Sequence, residues 1–173
     1  MSQRAFALGA IPAALWFTLR AAPSVAFRDA GELTAASFLL DVAHPTGFPA
    51  DVLLVRLAML VPLGDLALRA NLAVASLMAL ACGCASVLAF RLVPTLAPTA
   101  RLAVSALPAA ALMASSTVLR AATAMEVYAG SLLLSLAALT LTGGSAPAPV
   151  RARLAALALG LSLATHATMM RPA

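Results

Sequence analysis

Asp29 and Glu32 stand three residues apart, a spacing that turns both carboxylates to one side wherever the chain is helical. Such a pair can accept a proton, hold a divalent cation or bind sugar hydroxyls. The same spacing also suits a helix start, with Asp29 as the cap and Glu32 in the first turn, where the helix dipole favours a negative charge. The two readings are compatible. Further on, His44-Pro45-Thr46-Gly47-Phe48-Pro49 forms a stiff turn presenting an imidazole, and its prolines exclude a continuous helix. A lone histidine in such a turn is most often simply solvated. Arg120 and Glu126 flank a second short turn, and Glu126-Val127-Tyr128 opens an apolar stretch; a glutamate there is also ordinary dipole compensation. His166 lies inside an apolar run, where an ionisable group is costly and tends to face a cavity. Its alternative is a histidine satisfied within the packing.

The rest of the chain must hold these groups in place. Of its 173 residues 63% are hydrophobic and only 10% charged, more apolar surface than a soluble domain can hide, so the class is integral membrane protein. Alanine and leucine dominate and aromatics are 5%, which favours helices over a barrel with aromatic girdles. The net charge of +5 comes entirely from arginines scattered singly at the ends of apolar runs, where they anchor helices at the interface. No basic stripe forms, which excludes nucleic-acid binding. Cys82 and Cys84 are two apart on a helix and so on different faces, fitting neither a disulfide nor a zinc site.

The expected fold is all-α, a polytopic transmembrane helical bundle forming one domain over residues 1–173. Five spans follow from the apolar runs 5–19, 70–90, 102–119, one starting at 127 and fading near Gly143-Gly144, and 154–170. The first is short, about 22 Å as a helix, and its alternative is a cleaved signal peptide. Residues 23–66 form a long first outer loop, with juxtamembrane helices over 31–42 and 50–61, the second stopped by Pro62 and Gly64. With the N-terminus in the cytoplasm, the inner side receives Arg4, Arg91, Arg101, Arg151 and Arg153 and no acid. The outer side receives all six acids and His44, and His166 falls in the outer part of the membrane, about 20 Å along its helix from Arg153. Acids and imidazoles thus share one boundary.

Asp29-Ala30-Gly31-Glu32 followed by His44-Pro45-Thr46-Gly47-Phe48-Pro49 resembles the first outer loop of a bacterial membrane family related to the protein O-mannosyltransferases, in which a D-x-G-E element precedes H-P-P-G-x-P. The resemblance continues through Arg69-Ala70-Asn71-Leu72, Glu126-Val127-Tyr128 and a late histidine, here His166, and covers essentially the whole chain. It implies a GT-C type glycosyltransferase of the bacterial inner membrane, with a polyprenyl-phosphate sugar as donor and a protein or glycan hydroxyl as acceptor. Carried over, Asp29 is the general base, while Glu32 and His44 shape the acceptor or phosphate pocket. Arg69 or Arg120 pairs with the lipid phosphate, and Glu126, Tyr128 and His166 complete the substrate site. No cofactor is certain, and a divalent cation is compatible with the carboxylates. Thr46 stands where the family usually has a second proline, and Arg28 where an aromatic is common. The family's chains usually have about twice as many spans, so the expectation is the N-terminal half of a longer protein, missing a C-terminal half. The competing class is a non-catalytic scaffold or transporter-like protein. A transporter should place ionisable groups near the bilayer midplane rather than at helix ends on one side.

Overall fold

A computed structural model describes residues 1–165, and every regular element among them is an α-helix. In chain order these are α1 (Ser2–Thr18), α2 (Ala30–Leu39), α3 (Pro49–Met59), α4 (Leu66–Leu92), α5 (Pro98–Ala114), α6 (Ser116–Thr123), α7 (Tyr128–Thr142) and α8 (Ala148–Thr165).

The bundle is built around α4. Asp65 starts it, its carboxylate accepting the Leu68 N–H at 2.7 Å, and the 27 residues that follow pack against α1, α3, α5 and α7. The face of α1 turned to α4 carries Ala5, Gly9, Ala13 and Phe17, all buried and four apart. A β-carbon on Gly9 would lie 2.3 Å from Ser86 Oγ and 2.7 Å from the Cys82 carbonyl. At Gly9 the two backbones approach that closely because no side chain of α1 stands between them. Cys82 and Cys84 are buried free thiols.

The all-helical expectation holds, but the count of spans differs. Among the described residues α4 is the one helix long and apolar enough by itself to cross a bilayer. The run 102–119 is bent, a broken span or a re-entrant segment: α5 and α6 meet at 74°, because Ser115 is extended (φ −73°, ψ 121°) and its hydroxyl caps α6. At 17 and 15 residues, α1 and α7 fall short of the roughly 20 a straight span needs. The run 154–170 extends beyond the described residues.

The loop matches its reading more closely. The first juxtamembrane helix ends sooner than expected, at Leu39, because Leu40 turns left-handed (φ 57°). The second, α3, stops before Pro62 and Gly64 as anticipated. Between α1 and α2 the chain is tied down at its middle. The buried Asn71 amide donates to the carbonyls of Ala22 (2.8 Å) and Ser24 (3.1 Å), and the Ala22 N–H donates to the Thr123 carbonyl at 2.7 Å. These bonds carry residues 22–29 across the start of α4 and the end of α6, where the candidate residues gather.

Candidate functional site

Asp29 occupies the cap position of α2, but only its backbone does the capping. Its carbonyl accepts the Leu33 N–H at 2.8 Å, while its carboxylate makes no bond to the helix and stands exposed. Of the two sequence readings, capping by the side chain does not occur. Arg28, just before it, is left-handed (φ 66°), a conformation costing a non-glycine residue about 1–2 kcal/mol. Strain of this kind persists only where the surroundings enforce it.

Glu32 is fully engaged. One carboxylate oxygen accepts the backbone N–H of His44 at 2.6 Å, and the other faces His44 Nδ1 at 3.0 Å. These bonds, the backbone one first, hold the Glu32 carboxyl below its ordinary range. A carboxylate only accepts, so the imidazole proton sits on Nδ1 and Nε2 is the nitrogen left over. Phe48, buried at the end of the turn, meets the ring edge-on at 5.1 Å. The His-Pro-Thr-Gly-Phe-Pro turn is therefore fixed against α2 at both its backbone and its side chain.

Glu126 lies across from this loop, half-buried at the turn between α6 and α7. Burial raises its carboxyl first and the charge of Asp29 raises it further, with Arg28 and His44 pulling the other way. Four residues from three parts of the chain thus act on one another electrostatically. Beside them is a cleft of about 470 Å³ with Arg28, Arg120, Glu126 and Tyr128 at its polar edge and Met78 and Leu132 among its apolar walls. Neither the Arg28 nor the Arg120 guanidinium has a hydrogen bond or salt bridge among the described residues.

Six of the expected residues are accordingly brought to one neighbourhood: Asp29, Glu32, His44, Arg120, Glu126 and Tyr128. Arg69 is placed elsewhere. Its guanidinium donates to the carbonyls of Met59 (3.1 Å), Gly64 (3.0 Å) and Leu63 (3.3 Å), locking the turn between α3 and α4. It borders two mainly apolar clefts of about 280 and 630 Å³ that contain none of the other candidates. His166 lies outside the described residues. No group of three or more histidines, cysteines and acids suited to a metal ion occurs among the described residues. Arg28 is the addition that sequence reasoning missed, although its place next to Asp29 was a signal. Asp51 was missed too, and no pattern marked it.

Residues 29–171 match the family model of the protein O-mannosyl-transferase TMEM260 N-terminal domain. The chain belongs to that family. Every candidate residue falls within the TMEM260-type segment, and membership relates the chain to the O-mannosyltransferase class of glycosyltransferases. Together with the apolar length of α4, it also points to a membrane-associated protein. No solved structure matches the chain.

Proposed function

We propose that this TMEM260-type domain contributes the acceptor-activating side of a membrane glycosyltransferase, acting on a polyprenyl-phosphate sugar and the hydroxyl of a protein or glycan. The observation that carries this reading is the exposed Asp29 carboxylate, which caps nothing, beside a cleft edged by two guanidiniums that make no bond among the described residues. In the reaction Asp29 takes the proton of the acceptor hydroxyl as its oxygen bonds to the anomeric carbon. The bond from that carbon to the phosphate oxygen breaks, and the electron pair leaves with the lipid phosphate. Arg120, with Arg28, pairs with the departing phosphate through charge-assisted hydrogen bonds. His44, held by Glu32, together with Glu126 and Tyr128, walls the acceptor side. Arg69 serves the site at a distance by fixing the α3–α4 turn. The loop containing Asp29 lies at the outer face of a bacterial inner membrane with the N-terminus cytoplasmic, and shorter helices such as α1 and α7 complete the spans.

The test is Asp29→Asn in the intact protein. Sugar transfer falls by roughly 10²–10⁴-fold, the usual contribution of a positioned general base, while membrane insertion is unchanged. Full transfer by the variant removes Asp29 from the catalytic role.

A further inference from the structure

Asp51 is the third residue of α3, and its position in the first turn would ordinarily mean a solvated carboxylate facing the helix dipole. Instead it is 1% exposed, and its Oδ2 is buried with no hydrogen-bond partner among the described residues. Nearly all buried polar atoms in proteins are bonded, so an orphaned carboxyl oxygen calls for an account. The carboxyl sits in a notch. A β-carbon on Gly130, the third residue of α7, would lie 2.2 Å from Asp51 Oδ1 and 3.4 Å from Thr165 Cγ2. Gly130 and Thr165 are themselves buried. Burial, with no charged side chain among the described residues contributing, pushes the Asp51 carboxyl up to about 8.

The two helices joined at this notch begin at the site. Phe48, which touches His44, immediately precedes α3, and Glu126 lies two residues before α7. Asp51 and Gly130 are therefore one turn inside the helix starts that carry the His44 turn and Glu126. An apolar residue could fill the space at lower cost, since an unbonded buried carboxyl is expensive. We propose that Asp51, seated on Gly130, is a positioning residue that sets the separation between the His44 turn and Glu126. This deepens the glycosyltransferase reading and rests on it for its effect on turnover. The fit is one of size and shape: glycine on α7 leaves room for one carboxyl-sized group on α3.

The experiment is a size swap in the intact protein, read as turnover per folded, membrane-inserted molecule. Gly130→Ala drives the added methyl into the carboxyl and lowers kcat by roughly ten- to a hundredfold with KM little changed, the scale expected of a small misplacement of reacting groups. Asp51→Ala in the same chain vacates the notch and restores most of the loss. Asp51→Asn, equal in size, keeps kcat close to the parent. Spin labels at the exposed positions Val42 and Ser116 give the same answer without activity: the distance between them shifts in Gly130→Ala and returns in the double variant. If Gly130→Ala alone does not accumulate in the membrane, the double variant decides, because recovery of folded, active protein requires the size match. A double variant no better than Gly130→Ala, or a fully active Gly130→Ala, overturns the proposal. If Asp29→Asn retains transfer while the label distances still respond to the swap, the fault lies with the catalytic reading and not with the seat.

Discussion

Arginines at the two ends of α4 differ: at the C-terminal end they are tied to carbonyls, while at the N-terminal end Arg69 is tied in the same way but Arg28 and Arg120 are not. At its C-terminal end Arg101 Nε donates to the Phe90 carbonyl at 2.6 Å and stacks 3.9 Å over the Phe90 ring. Arg91 donates to the Thr140 carbonyl and Arg151 to the Gly144 carbonyl. Phe90 and Thr140 lie in the last turns of α4 and α7, where carbonyls lack helical partners and the dipole favours a cation. Arg91 and Arg101 there each close a helix, and Arg151 closes the turn that follows α7. At the N-terminal end Arg28 and Arg120 have no such bonds among the described residues, and Asp29 leaves its helix uncapped by its side chain. An arginine aimed at helix-end carbonyls is consumed by them; Arg120, although it lies in the last turn of α6, makes no such bond among the described residues and borders the cleft instead.

That contrast can be broken or sharpened by experiment. After the loss of Asp29, the largest effect is expected from Arg120→Gln. Transfer efficiency should fall by roughly ten- to a hundredfold, the scale of charge-assisted hydrogen bonds worth about 1.5–3 kcal/mol, with thermal stability in detergent unchanged. A drop in melting temperature without a change in transfer would place Arg120 with the structural arginines.

Asp51→Asn probes the seam between the ends. The Asp51 carboxyl is raised from 3.8 to about 8 in the fold. Below the lower value it is protonated in both states and costs nothing. As pH climbs between the two values the unfolded chain ionises and the folded one does not, so stability is lost, at up to about 1.4 kcal/mol for each pH unit. The parent should lose melting temperature between pH 5 and 8, and Asp51→Asn should flatten that slope. Equal slopes would mean the carboxyl is solvated.

Arg101→Gln should show the reverse of Arg120→Gln, about 1–2 kcal/mol less stable because the Phe90 carbonyl loses its donor, with transfer per folded molecule unaffected. The smallest effect belongs to Glu32→Gln. The parent carboxyl is depressed, so its clamp on His44 is fully formed above the ordinary carboxylate range and lost as pH falls through the folded value. The variant should lack that acid transition, followed as the nitrogen chemical shift of the His44 ring.

The loop was the most legible part of the sequence. Proline and glycine punctuate it, so α3 was bounded correctly, and the i, i+3 acids marked a helix start where α2 begins. Placing all acids at one boundary also anticipated the meeting of Asp29, Glu32, His44 and Glu126. The break at Ser115 was not legible, because an Ala/Leu run reads the same whether or not a serine hydroxyl turns inward to cap a new helix. Arg69 looked like Arg120 on paper; what separates them is three carbonyls at the α3–α4 turn, which only the path of the chain supplies. Asp51 had the pattern of a solvated first-turn acid, and its burial depends on Gly130, far away in sequence.

The three left-handed residues other than glycine that punctuate the loop, Arg28, Leu40 and Phe48, bear on how it reaches its shape. Each sits at a corner where glycine would rest more easily, yet each has a side chain that restricts the unfolded chain. Glycine at these corners would ease the native backbone while multiplying the conformations the free loop explores. The loop that holds Asp29 and His44 is therefore strained at these corners in the fold, yet has fewer free conformations to return to when it opens.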